Sequence, residues 1–395
     1  MNKWVNALCL LLLSILLTGC WDRVEIEERG FTVGVAIDIG EDGKVEEQKT
    51  SHVYKGTYQL VIPGGLSQGS GTSSGNLPAF QNLSLSNDSL FQQIRYLAQR
   101  TSRSLFFEHL KMIIISEEVA KTPGAFANIM DIFRRDHEMR RGVKILIAKG
   151  EASDILQYNT KTEPLPVMFI ESIVGNAPKN PLMLQEVRIG TVHKFLVSKD
   201  SFIVPKIEIK DGKIDVEGAA VIKGRDNTMA DFISGPVTEG LNFIKGDYKS
   251  GIVKATVDDF MVVYEIKYAK SKIKVNTDDP NHITFDILIE TEGVIGESFG
   301  NFNFTDKEVL RKAEQAFREE IKKSAERTVK TLQDDLKIDA LGLGDYVRRK
   351  DYDLWRKKLI DNWDSGENYF VKSDINIKVK TIIRGTGGII QNERD

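Results

Sequence analysis

Apolar and polar positions along this chain follow two different periods. Apolar side chains alternate through residues 31–37, which predicts a β-strand. A turn at Asp42-Gly43 leads into a second extended stretch at 45–62, so the two stretches are expected to form a hairpin. From about Asn87 the spacing becomes helical, with Asn87 or Ser86 as the expected cap.

The next segments alternate between strand and helix. Apolar runs at 111–115 and 143–147 predict buried strands, and helical spacing begins at about Gly124 and again around Ile155. In residues 64–78, by contrast, nine of fifteen positions are Gly or Ser without any period, which predicts a flexible loop. The alternation of strands and helices predicts a mixed α/β first domain.

The later part of the chain contains shorter strands and then the longest predicted helix. Residues 201–270 show short strands around one short helix near 238–243. Thr305 and Glu308 have the spacing of a capping box, and helical spacing continues from there for about thirty residues. A terminal strand is expected at 369–383.

The N-terminal residues have a pattern of their own. An apolar run over residues 4–17, interrupted only by Asn6 and Ser14, matches a signal-peptide core and is too short for a comfortable membrane-spanning helix. The run ends in Leu17-Thr18-Gly19-Cys20, which resembles the bacterial lipobox. That resemblance implies that Cys20 becomes an S-diacylglyceryl cysteine, open to N-acylation after cleavage. The alternative is an uncleaved anchor helix with a chance cysteine.

Cysteine content and charge narrow the function further. Cys9 lies in the segment that would be removed, so the mature chain would keep only Cys20 and could form no disulfide. Cleavage would leave 395 − 19 = 376 residues, with 53 basic against 57 acidic side chains and a net charge of −4. This balance argues against nucleic acid as a partner, and against electrostatic adhesion to anionic lipid beyond the anchor itself.

Residues that could carry catalysis or bind a metal have weak patterns. The sequence shows no HExxH motif and no i,i+4 pair among its five histidines, so no metal site is predicted; they stand at positions 52, 109, 137, 193 and 282. The GxSxG spacing occurs at 65–69 and 71–75, but within the Gly/Ser-rich stretch and without a following helix. A flexible loop is therefore preferred over a hydrolase nucleophile elbow.

Two further sets of residues receive a structural interpretation. Asp258-Asp259 and Asp278-Asp279 lie in turn-like sequence, so solvated turns are preferred over a paired acid and base. Trp355 and Trp363 are expected to pack in a core rather than to form a ligand platform. We predict no cofactor, and we expect the chain not to be an enzyme.

Short motifs in a fixed order carry a family resemblance. They begin at Cys20-Trp21-Asp22 and continue through Glu25-Ile26-Glu27 and Gly34-Val35-Ala36-Ile37-Asp38. Later ones are His109-Leu110-Lys111, residues 135–140, residues 216–221, Gly342-Leu343-Gly344, the pair Trp355 and Trp363, and Arg384-Gly385. In this order they resemble the Ger(x)C family, the lipoprotein C subunits of spore germinant receptors in endospore-forming bacteria. Two departures are Tyr352, where the family usually has a proline, and the variable stretch 64–78.

The resemblance implies a fold and a domain division. The expected fold class is α+β, with three mixed α/β domains, each a β-sheet with packed helices, after a cleaved lipoprotein signal peptide. The expected segments are the signal peptide at 1–19, an N-terminal α/β domain at 20–198, a small strand-rich middle domain at 199–270, and a C-terminal domain with the long helix and terminal strand at 271–395.

The resemblance also implies a role. The chain would be a non-catalytic subunit of a nutrient germinant receptor, assembled with integral-membrane A and B subunits, of which B resembles amino-acid permeases. Lipid on Cys20, with acyl chains such as palmitate, would hold it on the outer face of the spore inner membrane. The alternative is a solute-binding lipoprotein of a membrane transporter, which would have two similar-sized lobes around a ligand cleft.

Overall fold

The computed structural model describes residue 4 and residues 29–40, 52–66, 77–136, 138–246 and 250–385. Within these ranges the chain is a mixed α/β structure with two β-sheets. The strands are β1 (Arg29–Ile39), β2 (Tyr54–Val61), β3 (Phe80–Asn87), β4 (Ser104–Phe106), β5 (Met112–Ser116), β6 (Lys144–Ala148), β7 (Val187–Arg188), β8 (Phe202–Lys210), β9 (Lys213–Asp215), β10 (Ala219–Lys223), β11 (Thr228–Ile233), β12 (Gly251–Val257), β13 (Phe260–Asn276), β14 (Thr284–Ser298) and β15 (Asp374–Gly385).

The helices lie between these strands and pack on the sheets. They are α1 (Pro63–Leu66), α2 (Leu90–Ala98), α3 (Glu117–Lys121), α4 (Ala125–Arg135), α5 (Ala152–Gln157), α6 (Pro166–Val174), α7 (Ile189–Ser198), α8 (Gly235–Lys245), α9 (Lys307–Lys330), α10 (Leu343–Lys350), α11 (Tyr352–Leu354) and α12 (Tyr369–Lys372). None of the helices in the described ranges has the length and apolar character required to span a bilayer.

The first sheet has a parallel centre covered by helices on both faces. Its strand order is β11-β10-β8-β6-β5-β1-β2-β3, and β1, β5, β6 and β8 run in the same direction. All five residues of β5 are buried, as expected for a strand covered on both sides. Ile113 packs with Phe126 of α4, whereas Ile114 lies in a second core with Ile155 of α5 and Ile170 of α6.

Several predicted elements of this region are confirmed. The two strands of the predicted hairpin are the antiparallel pair β1 and β2, and the predicted turn at Asp42-Gly43 lies outside the described residues. The apolar runs at 111–115 and 143–147 form β5 and β6, the helix expected from Gly124 is α4, and the one around Ile155 is α5. The start of α2 is corrected: residues 80–87 form the edge strand β3, and the Ser89 side chain caps the helix by accepting from the Gln92 amide at 3.2 Å.

The second sheet has four strands in the order β12-β13-β14-β15. The terminal strand β15 pairs in parallel with β14, so the chain end closes the sheet as predicted. The long helix α9 lies against this sheet, with Phe317 stacked on Tyr264 of β13 at a centroid distance of 5.0 Å. Ile377 and Ile383 of β15 are buried in the same core, which shows why the alternating pattern predicted a strand here.

Two predicted details of the second sheet region are wrong. The long helix is capped by Asp306, whose carboxylate accepts from the Glu308 amide at 2.7 Å, and not by a capping box between Thr305 and Glu308. Thr305 instead donates its hydroxyl to Asn303 at 2.6 Å. Residues 369–372 form the short helix α12 instead of the beginning of the terminal strand.

One continuous core connects the two sheets. Val221 of the first sheet, Leu241 of α8 and Val253 of the second sheet belong to the same buried cluster. Gly240 allows α8 to approach α9 closely, because an added Cβ would overlap the Ser324 carbonyl oxygen. The Thr328 hydroxyl donates to the Val237 carbonyl at 2.7 Å across the same helix contact.

The division into three domains stays a prediction. The structure adds that β8, after residue 198, pairs with β6 of the preceding segment, so residues on both sides of that expected boundary share a sheet. Strand β13 likewise runs across the expected boundary at residue 270.

Candidate functional site

The predicted lipidation site, Cys20, lies outside the described residues, but the position where the chain leaves it is defined. Eight residues lie between Cys20 and Arg29, the first residue of β1, so nine Cα-to-Cα steps connect the two. An extended chain reaches at most about 3.5 Å per residue, so Cys20 lies within about 30 Å of the N-terminal end of β1. Lipid on Cys20 would therefore keep this edge of the first sheet within about 30 Å of a membrane.

The motif at residues 34–38 lies in the middle of the first sheet. Asp38, at the end of the motif, is fully buried and accepts from the Ala152 amide at 2.6 Å and the Ser153 amide at 3.0 Å. These amides open α5 and have no partner within the helix, so the carboxylate satisfies them. Burial raises the pKa of Asp38, while the hydrogen bonds from Ala152 and Ser153 and the charge of Lys55 oppose that change. Asp38 therefore fixes α5 to the central strand.

The motif Gly342-Leu343-Gly344 encloses a second buried carboxylate, that of Asp339. One of its oxygens accepts from the Gly342 and Leu343 amides at 2.8 and 3.0 Å. The other accepts from the Gly344 amide and from the Trp363 indole, both at 2.7 Å. Burial raises the pKa of Asp339 despite these four donors. We call these five residues the Asp339 cage.

The tryptophans of the second region pack in the core, as predicted. Trp355 and Trp363 are each 5% exposed, and their rings lie 5.9 Å apart. Trp363 also packs edge-on against Phe285 of β14 at 6.1 Å. A Cβ at Gly344 would lie 2.8 Å from the Trp363 indole nitrogen and 2.9 Å from the Trp355 ring, so the glycine is required by this packing.

A cleft of about 630 Å³ lies beside the Asp339 cage, between the first sheet and the C-terminal helices. Ion pairs cross it from one side to the other: Arg225 contacts Asp361 at 2.7 Å, and Arg348 contacts Asp200 at 3.4 Å. The Ser201 hydroxyl donates to Asp364 at 2.5 Å. These polar contacts join the first sheet to the C-terminal helices. The Ser201 hydroxyl is one of the groups that form them.

The four described histidines have different surroundings, and the buried Nδ1 of His193 has no hydrogen-bond partner among the described residues. His52 contacts the Pro123 carbonyl at 3.2 Å, and His282 contacts the Asp374 carboxylate at 2.6 Å. His109 packs edge-on against the rings of Phe31 and Phe106. Among the residues that the structure describes, no group of three His, Cys, Asp or Glu side chains could hold a metal ion. His137 lies outside them.

The remaining candidate residues lie in turns or outside the described chain. Asp258 and Asp259 form the turn between β12 and β13 with positive φ, and Asp258 pairs with Lys312 at 2.9 Å. Asp279 accepts from the Asn281 amide at 2.8 Å, so both carboxylate pairs lie in turns, as predicted. Of the first GxSxG segment, residues 65 and 66 end the short helix α1, and its serine lies outside the described residues, as does all of the second segment.

Two buried side chains with structural roles are absent from the sequence predictions. Asp339 stands three residues before Gly342, a spacing at which a carboxylate can bond the backbone ahead of it, and this was the available signal. Gln59 of β2 donates to the Leu156 carbonyl at 2.8 Å and accepts from the Val167 amide at 3.3 Å. It thereby joins α5 and α6 to the sheet, and no sequence pattern indicates it.

Comparison with known proteins decides the family. Residues 22–209 match the model of the spore germination protein N-terminal domain, and residues 217–387 match the model described as spore germination B3/GerAC like, C-terminal. The chain belongs to the Ger(x)C family. The resemblance carried by the short motifs is thereby confirmed. The role of this family is in spore germination.

Individual relatives agree with this assignment. The Ger(x)C chain is 32% identical over 392 residues to spore germination protein YndF of Bacillus subtilis (strain 168), covering 96% of this chain and 95% of the relative. It is 26% identical to spore germination protein B3 of the same organism, covering 92% and 94%. The crystal structure of the GerBC protein is 24% identical and superimposes with a TM-score of 0.60 over 89% of this chain and 97% of the other, which shows a shared fold.

Proposed function

We propose that this Ger(x)C chain is the lipid-anchored C subunit of a nutrient germinant receptor. In this proposal Cys20 carries a diacylglyceryl group that holds the chain on the outer face of the spore inner membrane. The observation that carries the proposal is the sequence Leu17-Thr18-Gly19-Cys20 directly before the region that matches the family. Two acyl chains give a stable attachment, whereas one gives only marginal binding.

We further infer that the subunit acts by assembly with integral-membrane A and B subunits and not by catalysis. The buried carboxylates Asp38 and Asp339 bond backbone amides and an indole, which are structural partners. The polar groups of the cleft pair with one another across it. These contacts support a rigid surface for protein–protein contact.

The alternative, a solute-binding lipoprotein of a transporter, has less support from the fold. Such a protein would have two lobes of similar size around its ligand cleft. The described residues instead form one sheet of eleven strands and one of four, joined by a continuous core. This asymmetry favours the receptor subunit.

The test is a pair of cysteine substitutions in the native host. Cys20→Ala is expected to remove the chain from the spore membrane fraction and to slow the germination response to nutrients, because the lipid attachment site is lost. Cys9→Ala is the matched control, since Cys9 lies in the segment predicted to be cleaved away, and it should leave both unchanged. Full membrane retention and normal germination of Cys20→Ala spores would contradict the proposal.

A further inference from the structure

Seven arginines of the first sheet region lie at one edge of the sheet. The parallel strands β1, β4, β5 and β6 all begin at this edge, where the chain arrives from Cys20. The segments that lead into these strands carry seven arginines, which we call the basic edge: Arg29, Arg100, Arg103, Arg134, Arg135, Arg140 and Arg141. Fold topology brings them together from three separate parts of the sequence.

Most of this positive charge is not neutralised by the described residues. The Arg135 guanidinium pairs with Asp131 at 2.6 Å, but Arg134, Arg140 and Arg141 are exposed and form no ion pair with any described side chain. Burial lowers the pKa of His193, and the nearby charges of Arg134 and Arg141 lower it further.

Some carboxylates at this edge already have basic partners, because Glu171 and Glu186 pair with Lys144 at the start of β6. Asp136 accepts from the Glu138 amide at 2.9 Å, and Glu138 accepts from the Phe107 amide at 3.2 Å. Glu108 is the remaining exposed acid in the described segments beside β4. Asp136, Glu138 and Glu108 therefore lie in the same segments as six arginines that form no ion pair with a described residue.

We propose that the basic edge faces the anionic headgroups of the membrane that holds Cys20; this rests on the lipid anchor of the proposed function. The exit of the chain at Arg29 keeps this edge within about 30 Å of the anchor. Charges act on a membrane only within about 8 Å at physiological salt, so the local arginines count and distant acidic residues do not. The overall net charge of −4 therefore does not exclude adhesion, in contrast to the expectation from sequence.

Acidic residues of the same chain are the alternative partner for the basic edge. Asp22, Glu25, Glu27 and Glu28 lie between Cys20 and Arg29 and outside the described residues. If these carboxylates paired with the basic edge, the edge would have little charge left for lipid. Fluorescence quenching at the two edges separates the two arrangements.

The experiment places the full lipid-anchored chain in vesicles whose headgroups carry nitroxide quenchers. A fluorophore is attached at Ser102→Cys on the basic edge or at Glu118→Cys after β5 on the opposite edge, both exposed positions. In vesicles of phosphatidylcholine with phosphatidylglycerol, the label at position 102 should be quenched several-fold more than the label at 118. With phosphatidylcholine alone, or in about 1 M salt, the two should become similar because screening removes the attraction.

Two charge-matched variants sharpen the test. Arg134→Gln/Arg140→Gln/Arg141→Gln should shift the equilibrium away from the edge-on orientation by about fivefold for each arginine removed. Arg311→Gln/Arg356→Gln/Lys357→Gln removes the same charge from exposed positions in the second region, and it should keep the preference for position 102. Circular dichroism of both variants checks that the fold is retained.

Flotation of the vesicles distinguishes the two proposals. Equal quenching at positions 102 and 118, in a chain that floats with anionic vesicles, overturns the basic-edge proposal but leaves the lipid anchor in place. That result favours pairing of the basic edge with the acidic residues between Cys20 and Arg29. A wild-type chain that fails to float contradicts the lipid anchor, and the orientation that depends on it.

Discussion

In each of the two sheet regions, a buried aspartate accepts hydrogen bonds from backbone amides. The two aspartates differ in how far along the sequence these amides lie. Asp38 joins the central strand of the first sheet to helix α5, more than a hundred residues later in the chain. Asp339 closes a loop on the amides three to five residues ahead of it, and adds the Trp363 indole 24 residues away. Asp38 accepts from two backbone amides, whereas Asp339 accepts from three backbone amides and an indole.

This difference shows how one kind of interaction can serve two purposes. In the first region the carboxylate positions a helix over a sheet that is already packed on both faces, so the surrounding core shares the task. In the second region the carboxylate organises a loop with little regular structure of its own. Loss of the Asp339 cage should therefore cost more stability than loss of the Asp38 cap.

The largest effect is expected for Asp339→Asn. The amide group of asparagine can accept from two of the four donors but presents its own N–H to the others, so two buried donors lose their acceptor. The free energy of unfolding should fall by about 3 kcal/mol, measured by urea denaturation. The exposed control Asp335→Asn should change it by less than about 0.5 kcal/mol. Equal effects of the two substitutions would show that the cage does not stabilise the loop.

A smaller loss is expected for Asp38→Asn. One oxygen can still accept from Ala152 or Ser153, so a single amide at the start of α5 loses its acceptor. The free energy of unfolding should fall by about 1.5 kcal/mol, again by urea denaturation. Asp226→Asn, at an exposed turn, is the control. A loss larger than that of Asp339→Asn would reverse the comparison between the two regions.

The smallest expected effect is a pH dependence shared by both carboxylates. Burial raises the pKa of Asp38 and of Asp339 above the ordinary value of 3.8. Each folded carboxyl then binds its proton more tightly than the unfolded one, so the stability it contributes is complete below the ordinary pKa and is lost as pH rises through the raised pKa. Asparagine does not titrate here.

At each site, the difference in unfolding free energy between wild type and the asparagine variant should therefore decrease as pH rises from about 4 to 7. Urea denaturation of wild type and variant at several pH values measures it, and taking the difference cancels the other titrating groups. A gap that widens with pH would show that the hydrogen bonds to the carboxylate outweigh its burial.

Sequence patterns predicted the elements whose apolar faces are clear. The run at 111–115 and the helical spacing of α4 each indicate burial directly, and both elements are confirmed. Strand β3 was missed because it is an edge strand in which only Leu83 and Leu85 mark the face toward the core, which is a short apolar pattern. The start of β15 was placed too early because Tyr369 and Phe370, although buried, belong to a short helix that begins after Asn368.

The carboxylate sites were harder to predict than the strands. A single buried acid leaves no period in the sequence, and the donors to Asp339 are mostly backbone amides, which every residue has. Trp363 was predicted to be buried, but its bond to Asp339 depends on the path of the chain between them. The gathering of arginines at one edge likewise follows from the parallel strand order and not from total charge.

The central claim is the thioether-linked lipid on Cys20, and mass spectrometry of the N-terminal peptide tests it most directly. The chain is isolated from spores of its native host, digested and analysed in detergent. We predict a mature chain that begins at residue 20 with a diacylglyceryl group on the sulfur. A chain that retains residues 1–19, or a residue 20 with a free thiol, would contradict the account.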